Sequence, residues 1–218
     1  MRNKKILTIV ILAAVILVLV AAFFIFNSRQ GAQTNISAGV WENNSFTNSW
    51  SDISFSLPNG FTALTHDKMQ AILGTKEEVL VNGSISEAYV NMSEVSTFYD
   101  FVLYGDDLIT SVMVSYENML FDNRRSLTPE KYFDMVKAQL GDMELRDIEY
   151  EFVDSYSNAE IAGEEYQVLQ TFIRDMFYQD YYVRKFDNAM IVFTATYKYD
   201  TANTANSIDQ FLSSIDNY

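Results

Sequence analysis

The sequence contains no cysteine and a single histidine, His66, among its 218 residues. Without cysteine the chain forms no disulfide, no zinc–thiolate centre, no lipid-modified cysteine anchor and no cysteine nucleophile. One histidine also excludes a metal site built from several histidines. Only two prolines and eight glycines are present, which excludes a collagen-like or low-complexity chain.

Apolar side chains are abundant: hydrophobic residues make up 49% of the sequence and aromatic residues 15%. This content is typical of a chain that buries a core and excludes an intrinsically disordered protein. The length fits one ordinary domain or two small ones.

The longest apolar run is residues 6–26, which only Thr8 interrupts. As a helix it is about 31 Å long, the thickness of a bilayer's hydrocarbon core. Arg2, Lys4 and Lys5 precede the run without any acid, and bases on this side favour a cytoplasmic N-terminus. The pattern predicts a cytoplasmic segment 1–5 and a transmembrane signal anchor over 6–26. The rest of the chain then lies outside the cell membrane.

The alternative is a cleaved signal peptide and a secreted protein. Such peptides have an apolar region of roughly 7–15 residues that ends in small side chains. Here the run ends in the bulky residues 23–26, although Ala21 and Ala22 offer a weak cleavage site. An uncleaved anchor is the preferred interpretation.

Charge is distributed unevenly along the chain. Four of the fifteen bases lie in residues 1–29, which contain no acid, so the remainder carries eleven bases against 29 acids, a net charge of −18. Such a domain repels the phosphates of nucleic acids and anionic lipid headgroups. We therefore expect no nucleic-acid partner and a domain that stands off the membrane on a tether.

Residues 27–44 are rich in Asn, Ser, Gln, Gly and Ala and have no hydrophobic periodicity, which predicts a flexible tether before a domain over 45–218. In the domain, residues 53–57 alternate apolar and polar side chains and end at Pro58-Asn59-Gly60, the pattern of a half-buried strand. A hairpin is predicted over 99–116, and further strands are predicted over 147–154, 165–174, 177–186 and 190–199.

Three helices are predicted. Thr65 caps a short one over 66–73, and Thr128 and Pro129 begin a second that Gly141 ends. The third closes the chain and presents Ile208, Phe211, Leu212 and Ile215 on one face. Because strand 190–199 is apolar on both faces, both faces of the sheet require cover. The predicted fold class is α+β, a central antiparallel sheet flanked by helices on both faces and preceded by the transmembrane helix.

The strand and turn at 53–61 and the late stretch from Ile161 through the closing helix resemble PsbP-like domains. This is the fold of the extrinsic photosystem subunit and of the Mog-type Ran-binding factor, and it occurs in membrane-anchored bacterial proteins. The resemblance spans roughly residues 45–218 and implies a central antiparallel sheet with flanking helices. It supplies no functional motif, and a fold does not by itself give a function.

Catalytic and cofactor motifs are scarce. His66 with Asp67 and a serine would suit a triad, but His66 lies at a predicted helix N-terminus, which disfavours its charge, and no G-x-S-x-G motif exists. Adjacent acids occur at 77–78, 106–107 and 164–165, where strand neighbours point to opposite faces. The acidic stretch 142–151 is interpreted as a solvated edge, with calcium binding left open. No phosphate loop or dinucleotide motif is present, and we expect no cofactor.

The aromatic stretch at 177–182 supplies the candidate binding residues Tyr178, Tyr181 and Tyr182. Rings on a sheet face form a platform for a carbohydrate or peptide, or they pack as cross-strand pairs within a hairpin. Strand alternation places Tyr178 and Tyr182 on one face and Tyr181 on the other.

The predicted function is that of a non-enzymatic extracytoplasmic domain that binds a partner protein or a cell-envelope component. The alternatives are a hydrolase of envelope polymers that uses Asp or Glu carboxylates, and a structural spacer.

Overall fold

The computed structural model describes residues 35–64, 89–91, 97–107, 109–119, 126–142, 150–153, 155–173, 177–198 and 202–216. No helix within these ranges is long and apolar enough to cross a membrane. The predicted anchor over 6–26 and the predicted helix over 66–73 lie outside the described residues, and so does the acid pair at 77–78.

The described part of the chain is mostly β-strand. Its strands are β1 (Asn35–Ser37), β2 (Val40–Glu42), β3 (Ser45–Asn48), β4 (Ile53–Ser56), β5 (Phe61–Ala63), β6 (Tyr89–Asn91), β7 (Thr97–Gly105), β8 (Ser111–Asn118), β9 (Tyr150–Phe152), β10 (Ser157–Ile161), β11 (Glu164–Ile173), β12 (Phe177–Phe186) and β13 (Ala189–Lys198). Its helices are α1 (Pro129–Asp142) and α2 (Ala202–Ser213). The predicted α+β class with helices as the flanking layers is therefore wrong for this structure, because the described residues are mostly in strands and form only two helices. The transmembrane helix that this prediction placed first lies in residues 6–26, outside the described residues.

One antiparallel sheet dominates the fold, with strand order β10-β11-β12-β13-β8-β7-β5, and β9 pairs with β11 beside β10. The hairpin β12–β13 forms its centre and turns at Asp187, whose φ of 50° is the left-handed conformation that Asp and Asn tolerate. Residues Ala189–Tyr197 of β13 are all buried, as expected for a central strand covered on both faces.

A second sheet, β2–β3–β4, covers part of one face of the main sheet together with α2. Phe46 and Phe55 of this small sheet stack on each other at 5.2 Å and contact Phe101 of β7 at 4.8 and 5.0 Å. Phe211 of α2 meets Phe55 at 5.0 Å. The alternating pattern predicted only β4 of this small sheet, because β2 and β3 are very short, and the cover was therefore expected to be helical.

The predicted tether boundary is also wrong. Strands β1 and β2 lie inside residues 27–44, and Ile36 is fully buried in the core. β1 pairs with β6, more than fifty residues later, so its order depends on a distant partner that local sequence cannot reveal. The folded domain therefore includes residues from Asn35 onward.

Helix α1 lies on the opposite face of the main sheet. It begins as predicted, with Pro129 at its first position and the Thr128 hydroxyl accepting the Lys131 N–H at 3.4 Å. Its buried residues Phe133, Val136 and Leu140 belong to a core cluster formed with side chains of β11, β12 and β13. The helix ends at Asp142, one residue beyond the predicted Gly141.

A bulge in β7 fastens the small sheet to the main one. Tyr99 pairs with Ser115 and Phe101 pairs with Val114, which leaves Asp100 as the extra residue. Asp100 is buried, and its carboxylate accepts hydrogen bonds from Gly39 N–H at 2.8 Å, from Asn48 Nδ2 at 2.7 Å and from the Tyr116 hydroxyl at 2.7 Å. These donors belong to the β1–β2 connection, the small sheet and β8. One carboxylate thus joins three segments.

Candidate functional site

Three aromatic side chains form a row across the end of the main sheet on the face that α2 covers. Phe172 of β11 pairs with Tyr178 of β12, which pairs with Tyr197 of β13. The Phe172 and Tyr178 ring centroids are 5.8 Å apart, and those of Tyr178 and Tyr197 are 5.4 Å apart with an interplanar angle of 24°. Phe172 and Tyr178 are half-buried. The row therefore presents part of its aromatic surface at the boundary of the core. Below it is called the aromatic row.

A polar cluster lies beside the aromatic row on the same sheet face. Gln170 pairs across the strands with Asp180, which is only 3% exposed. The Tyr197 hydroxyl donates a hydrogen bond to Asp180 Oδ2 at 2.8 Å, and Gln170 Nε2 donates to the same oxygen at 3.2 Å. Gln170 Nε2 also lies 3.4 Å from the Tyr197 hydroxyl oxygen. These three residues are called the Asp180 cluster.

The second carboxylate oxygen of Asp180 accepts no hydrogen bond within the described residues. Oδ1 is buried, and no donor of the described part of the chain lies within hydrogen-bonding distance of it. Buried polar groups are nearly always paired, and leaving one unpaired costs about 1–3 kcal/mol, more for a charge. An unpaired oxygen of a buried carboxylate therefore calls for a functional explanation.

The environment of Asp180 makes its carboxyl group a weak acid. Burial raises its pKa to about 6, and the charge of Asp209 on α2 acts in the same direction, while the bonds from Tyr197 and Gln170 oppose the rise. The pKa of Tyr197 is also raised, first by burial and then by the Asp180 charge. At neutral pH the cluster thus contains a buried negative charge that no described base neutralises.

The three tyrosines nominated from the sequence do not share one surface. Tyr178 is half-buried and belongs to the aromatic row, and Tyr182 is 6% exposed on the same face, opposite Phe193. Tyr181 is 3% exposed on the other face, under α1, where its hydroxyl donates to Gln179 Oε1 at 2.7 Å. Tyr182 and Tyr181 are core side chains, so Tyr178 is the one of the three placed to meet a ligand. Its role in binding stays a prediction.

Sequence analysis did not single out the partners of Asp180. Gln170 lies 10 residues before Asp180 and Tyr197 lies 17 residues after it, and only the register of three strands brings them together. One signal was available: Asp180 is an acid in the middle of a strand whose neighbours are aromatic. Such a residue is expected to be buried with partners or kept for function.

Of the adjacent acids considered for hydrolysis, those that the structure describes take part in structural interactions. Asp107 Oδ1 accepts the N–H groups of Ile109 at 3.0 Å and Thr110 at 2.8 Å, which closes the turn between β7 and β8. Glu164 pairs with Arg184 at 3.1 Å, and Glu165 accepts a bond from Asn158 at 2.8 Å on the protein surface. Within the described ranges, no group of three or more His, Asp and Glu side chains could hold a metal ion.

Comparison with known proteins gives a likeness of fold. A structure search matches the chain to the solution structure of cyanobacterial PsbP (CyanoP) from Synechocystis, at 15% sequence identity and a TM-score of 0.49. The match covers 88% of this chain and 98% of that one. No family model matches the chain, and no curated protein matches it. The resemblance to PsbP-like domains is thus found at the level of overall fold, and at this similarity it carries no argument about function.

Proposed function

We propose that this domain is a binding module without catalytic activity and that its partner is a protein or a cell-envelope component. The partner contacts the aromatic row and the Asp180 cluster. The observation that carries the proposal is the position of half-buried Tyr178 beside a buried carboxylate whose Oδ1 is unpaired. The site combines apolar area with a strong hydrogen-bond acceptor, the two features that binding sites bring together.

The aromatic row suits recognition because its rings are already held in place. Tyr178 stacks on Tyr197 and contacts the tilted ring of Phe172, so it loses little side-chain entropy when a partner covers its exposed part. A ligand that buries the ring surface gains about 25 cal/mol per Å² of apolar area removed from water.

The proposed location is the outer face of the cell membrane. Two features of the sequence support it. Bases precede the apolar residues 6–26, and this run ends in bulky side chains, whereas signal peptidase requires small side chains at its cleavage site. Removal of the N-terminal segment would instead give a secreted protein. The net charge of −18 beyond residue 29 keeps such a domain soluble and away from anionic headgroups.

A hydrolase of envelope polymers is the second candidate, and one observation favours it. Asp180 has a pKa of about 6, a value suited to a general acid, and Asp209 lies close enough to raise that pKa. Against it, Asp180 is 3% exposed and its Oδ2 is occupied by Tyr197 and Gln170, so a polymer's sugar ring, which is much wider than a single amino-acid side chain, has little access to the carboxyl group. The test is to measure the soluble fragments that the wild-type chain and Asp180→Asn release from peptidoglycan. Release by the wild type that is lost in the variant would support the hydrolase.

The binding proposal is tested by photo-crosslinking in the native cells. Benzoylphenylalanine is placed at Tyr178 and, as a matched control, at exposed Ser155, which lies between β9 and β10. We expect a discrete adduct at position 178 that is absent at position 155. The crosslinked species is then identified and purified, and its affinity for the purified full chain is measured.

Tyr178→Ser should weaken that affinity at least tenfold and lower the melting temperature by only a few degrees. Tyr181→Ser, on the buried opposite face, should lower the melting temperature by clearly more. The proposal is wrong if positions 178 and 155 give the same adducts, or if Tyr178→Ser binds the purified species as well as the wild type does.

A further inference from the structure

We propose that the Asp180 cluster is a receptor for a lysine or arginine side chain of a partner protein, with the cation placed between the Asp180 carboxylate and the aromatic row. This inference rests on the proposed binding function and specifies the group that the site recognises. Its basis is geometric: a buried carboxylate with an unpaired oxygen lies next to the half-buried rings of Phe172 and Tyr178.

The unpaired oxygen selects a hydrogen-bond donor, and the charge selects a cation. Asp180 Oδ1 has no donor in the described part of the chain, while the negative charge of Asp209 on α2 repels that of Asp180. The described bases that form ion pairs are engaged elsewhere, Arg184 with Glu164 and Lys198 with Asp107. A carboxylate left uncompensated in this way binds an ammonium or guanidinium group through a charge-assisted hydrogen bond.

The rings beside the carboxylate favour the same ligand. A cation near the face of a tyrosine or phenylalanine is attracted by the ring quadrupole, and the attraction grows when water is excluded. Tyr178 and Phe172 are half-buried, and Tyr197 is 7% exposed and bonded to Asp180. The aliphatic part of a lysine or arginine side chain also packs on ring surface while its charged end reaches inward.

Gln170 marks the side from which the cation would approach. Its amide nitrogen donates to Asp180 Oδ2 at 3.2 Å and approaches the Tyr197 hydroxyl at 3.4 Å, both long for hydrogen bonds. Gln170 is half-buried and its side chain is flexible, so it is a neutral donor that a charged one can displace. The entry path therefore runs past Gln170, from the exposed side of the aromatic row toward Oδ1.

The first test supplies the cation from within the chain and needs no partner. Gln170→Lys and the apolar, similarly long Gln170→Met are compared in the full chain, kept in a neutral detergent because residues 6–26 are apolar. At pH 7.5 and low salt, Gln170→Lys should melt about 3 °C or more above Gln170→Met, the shift that about 1 kcal/mol produces in a chain of this size. In the Asp180→Asn background the difference should vanish. Equal melting temperatures of the two variants with Asp180 present would overturn the proposal.

The second test uses the wild-type chain and short probes, so it does not depend on how the variants fold. The probes are acetyl-Gly-Lys-Gly-amide, its Arg and Gln counterparts, and glucosamine, followed through amide and tyrosine-ring NMR shifts. The Lys and Arg peptides should shift signals of the aromatic row, and binding should fall at least tenfold in Asp180→Asn but stay unchanged in Asp187→Asn, which removes the same charge at the far end of the β12–β13 hairpin.

Equal shifts with the Gln peptide, or equal affinity in Asp180→Asn, would contradict the proposal. Binding of glucosamine without the peptides would also overturn it, because the ligand would then be an amino sugar and not a protein side chain. A negative result in these two tests would not decide the binding function. The crosslinking experiment tests that function separately, because a partner captured at position 178 need not bind through a cation.

Discussion

Two buried aspartates on the same side of the main sheet have different surroundings. Asp100 uses both carboxylate oxygens and receives three short hydrogen bonds, from Gly39, Asn48 and Tyr116. Asp180 receives two bonds on one oxygen and none on the other within the described residues. Burial raises the pKa of both carboxyl groups. The difference therefore lies in how completely each carboxylate is bonded.

The comparison separates a structural carboxylate from a candidate binding group. Asp100 connects segments that are far apart in sequence, so its desolvation cost is offset by the donors it satisfies and by the small sheet that it attaches. Asp180 bears the same cost with fewer donors. Proteins keep such uncompensated groups chiefly where binding or catalysis requires them.

The largest effect is expected where the small sheet packs on the main sheet around Asp100. Phe55→Ala removes a 5%-exposed ring that contacts Trp41, Phe46, Phe101 and Phe211. Urea denaturation should show a loss of about 3–5 kcal/mol, the usual range for a buried phenylalanine. Phe61→Ala, at a half-buried ring 6.2 Å from Phe211, should cost clearly less. Equal losses would mean that the small sheet is not anchored through Phe55.

Removing the fully bonded carboxylate should come next. Asp100→Ala leaves Gly39 N–H, the Asn48 amide and the Tyr116 hydroxyl without their acceptor, and we expect a loss of about 3 kcal/mol after relaxation. Asp134→Ala, at an exposed position of α1, is the control and should change stability by about 0.5 kcal/mol or less. If Asp100→Ala leaves the free energy of unfolding unchanged, Asp100 does not hold the small sheet to the main sheet.

Removing the charge of the partly bonded carboxylate should have the opposite sign. Because the pKa of Asp180 is about 6 in the folded state and 3.8 ordinarily, its contribution favours folding below about pH 4 and is lost as pH rises through 6. Asp180→Asn should therefore be more stable than the wild type at pH 7.5, by at most about 3 kcal/mol, and the difference should shrink at pH 4.5. Asp100 is present in both chains, so its titration cancels. A variant less stable than the wild type at pH 7.5 would refute this account.

The smallest effect is expected at the exposed side of the aromatic row. Tyr178→Leu keeps apolar volume beside Asp180 but loses the ring contacts with Phe172 and Tyr197, which are worth about 1 kcal/mol. Tyr182→Leu, at a buried position of the same strand face, should cost more. If the two substitutions lower the free energy of unfolding equally, Tyr178 is a core residue and does not belong to a binding site.

Local signals explain what the sequence predicted correctly. Alternation and the Pro58-Asn59-Gly60 turn place β4, and Gly60 adopts the positive φ of 80° that the turn needs. Thr128 and Pro129 place the start of α1. The buried face of α2 contains three of the four predicted residues, Ile208, Phe211 and Leu212, and the fourth, Ile215, is buried just beyond the end of the helix.

The misses have a common cause in long-range pairing. β1 and β3 are short and partly polar, and their order comes from β6, from Asp100 and from the aromatic side chains of the main sheet. The candidate site was missed in part for the same reason. Tyr178 could be nominated from its strand alone, whereas Gln170 and Tyr197 reach Asp180 only through the register of β11, β12 and β13.

A carboxyl carbon-13 NMR titration of the wild-type chain tests the central claim most directly, because it reports the protonation of Asp180 itself. We expect a midpoint of about 6 for Asp180, which falls when Gln170→Lys places a cation beside it. A midpoint at the ordinary 3.8 or below in the wild type would show that Asp180 already has the partners that this account says it lacks.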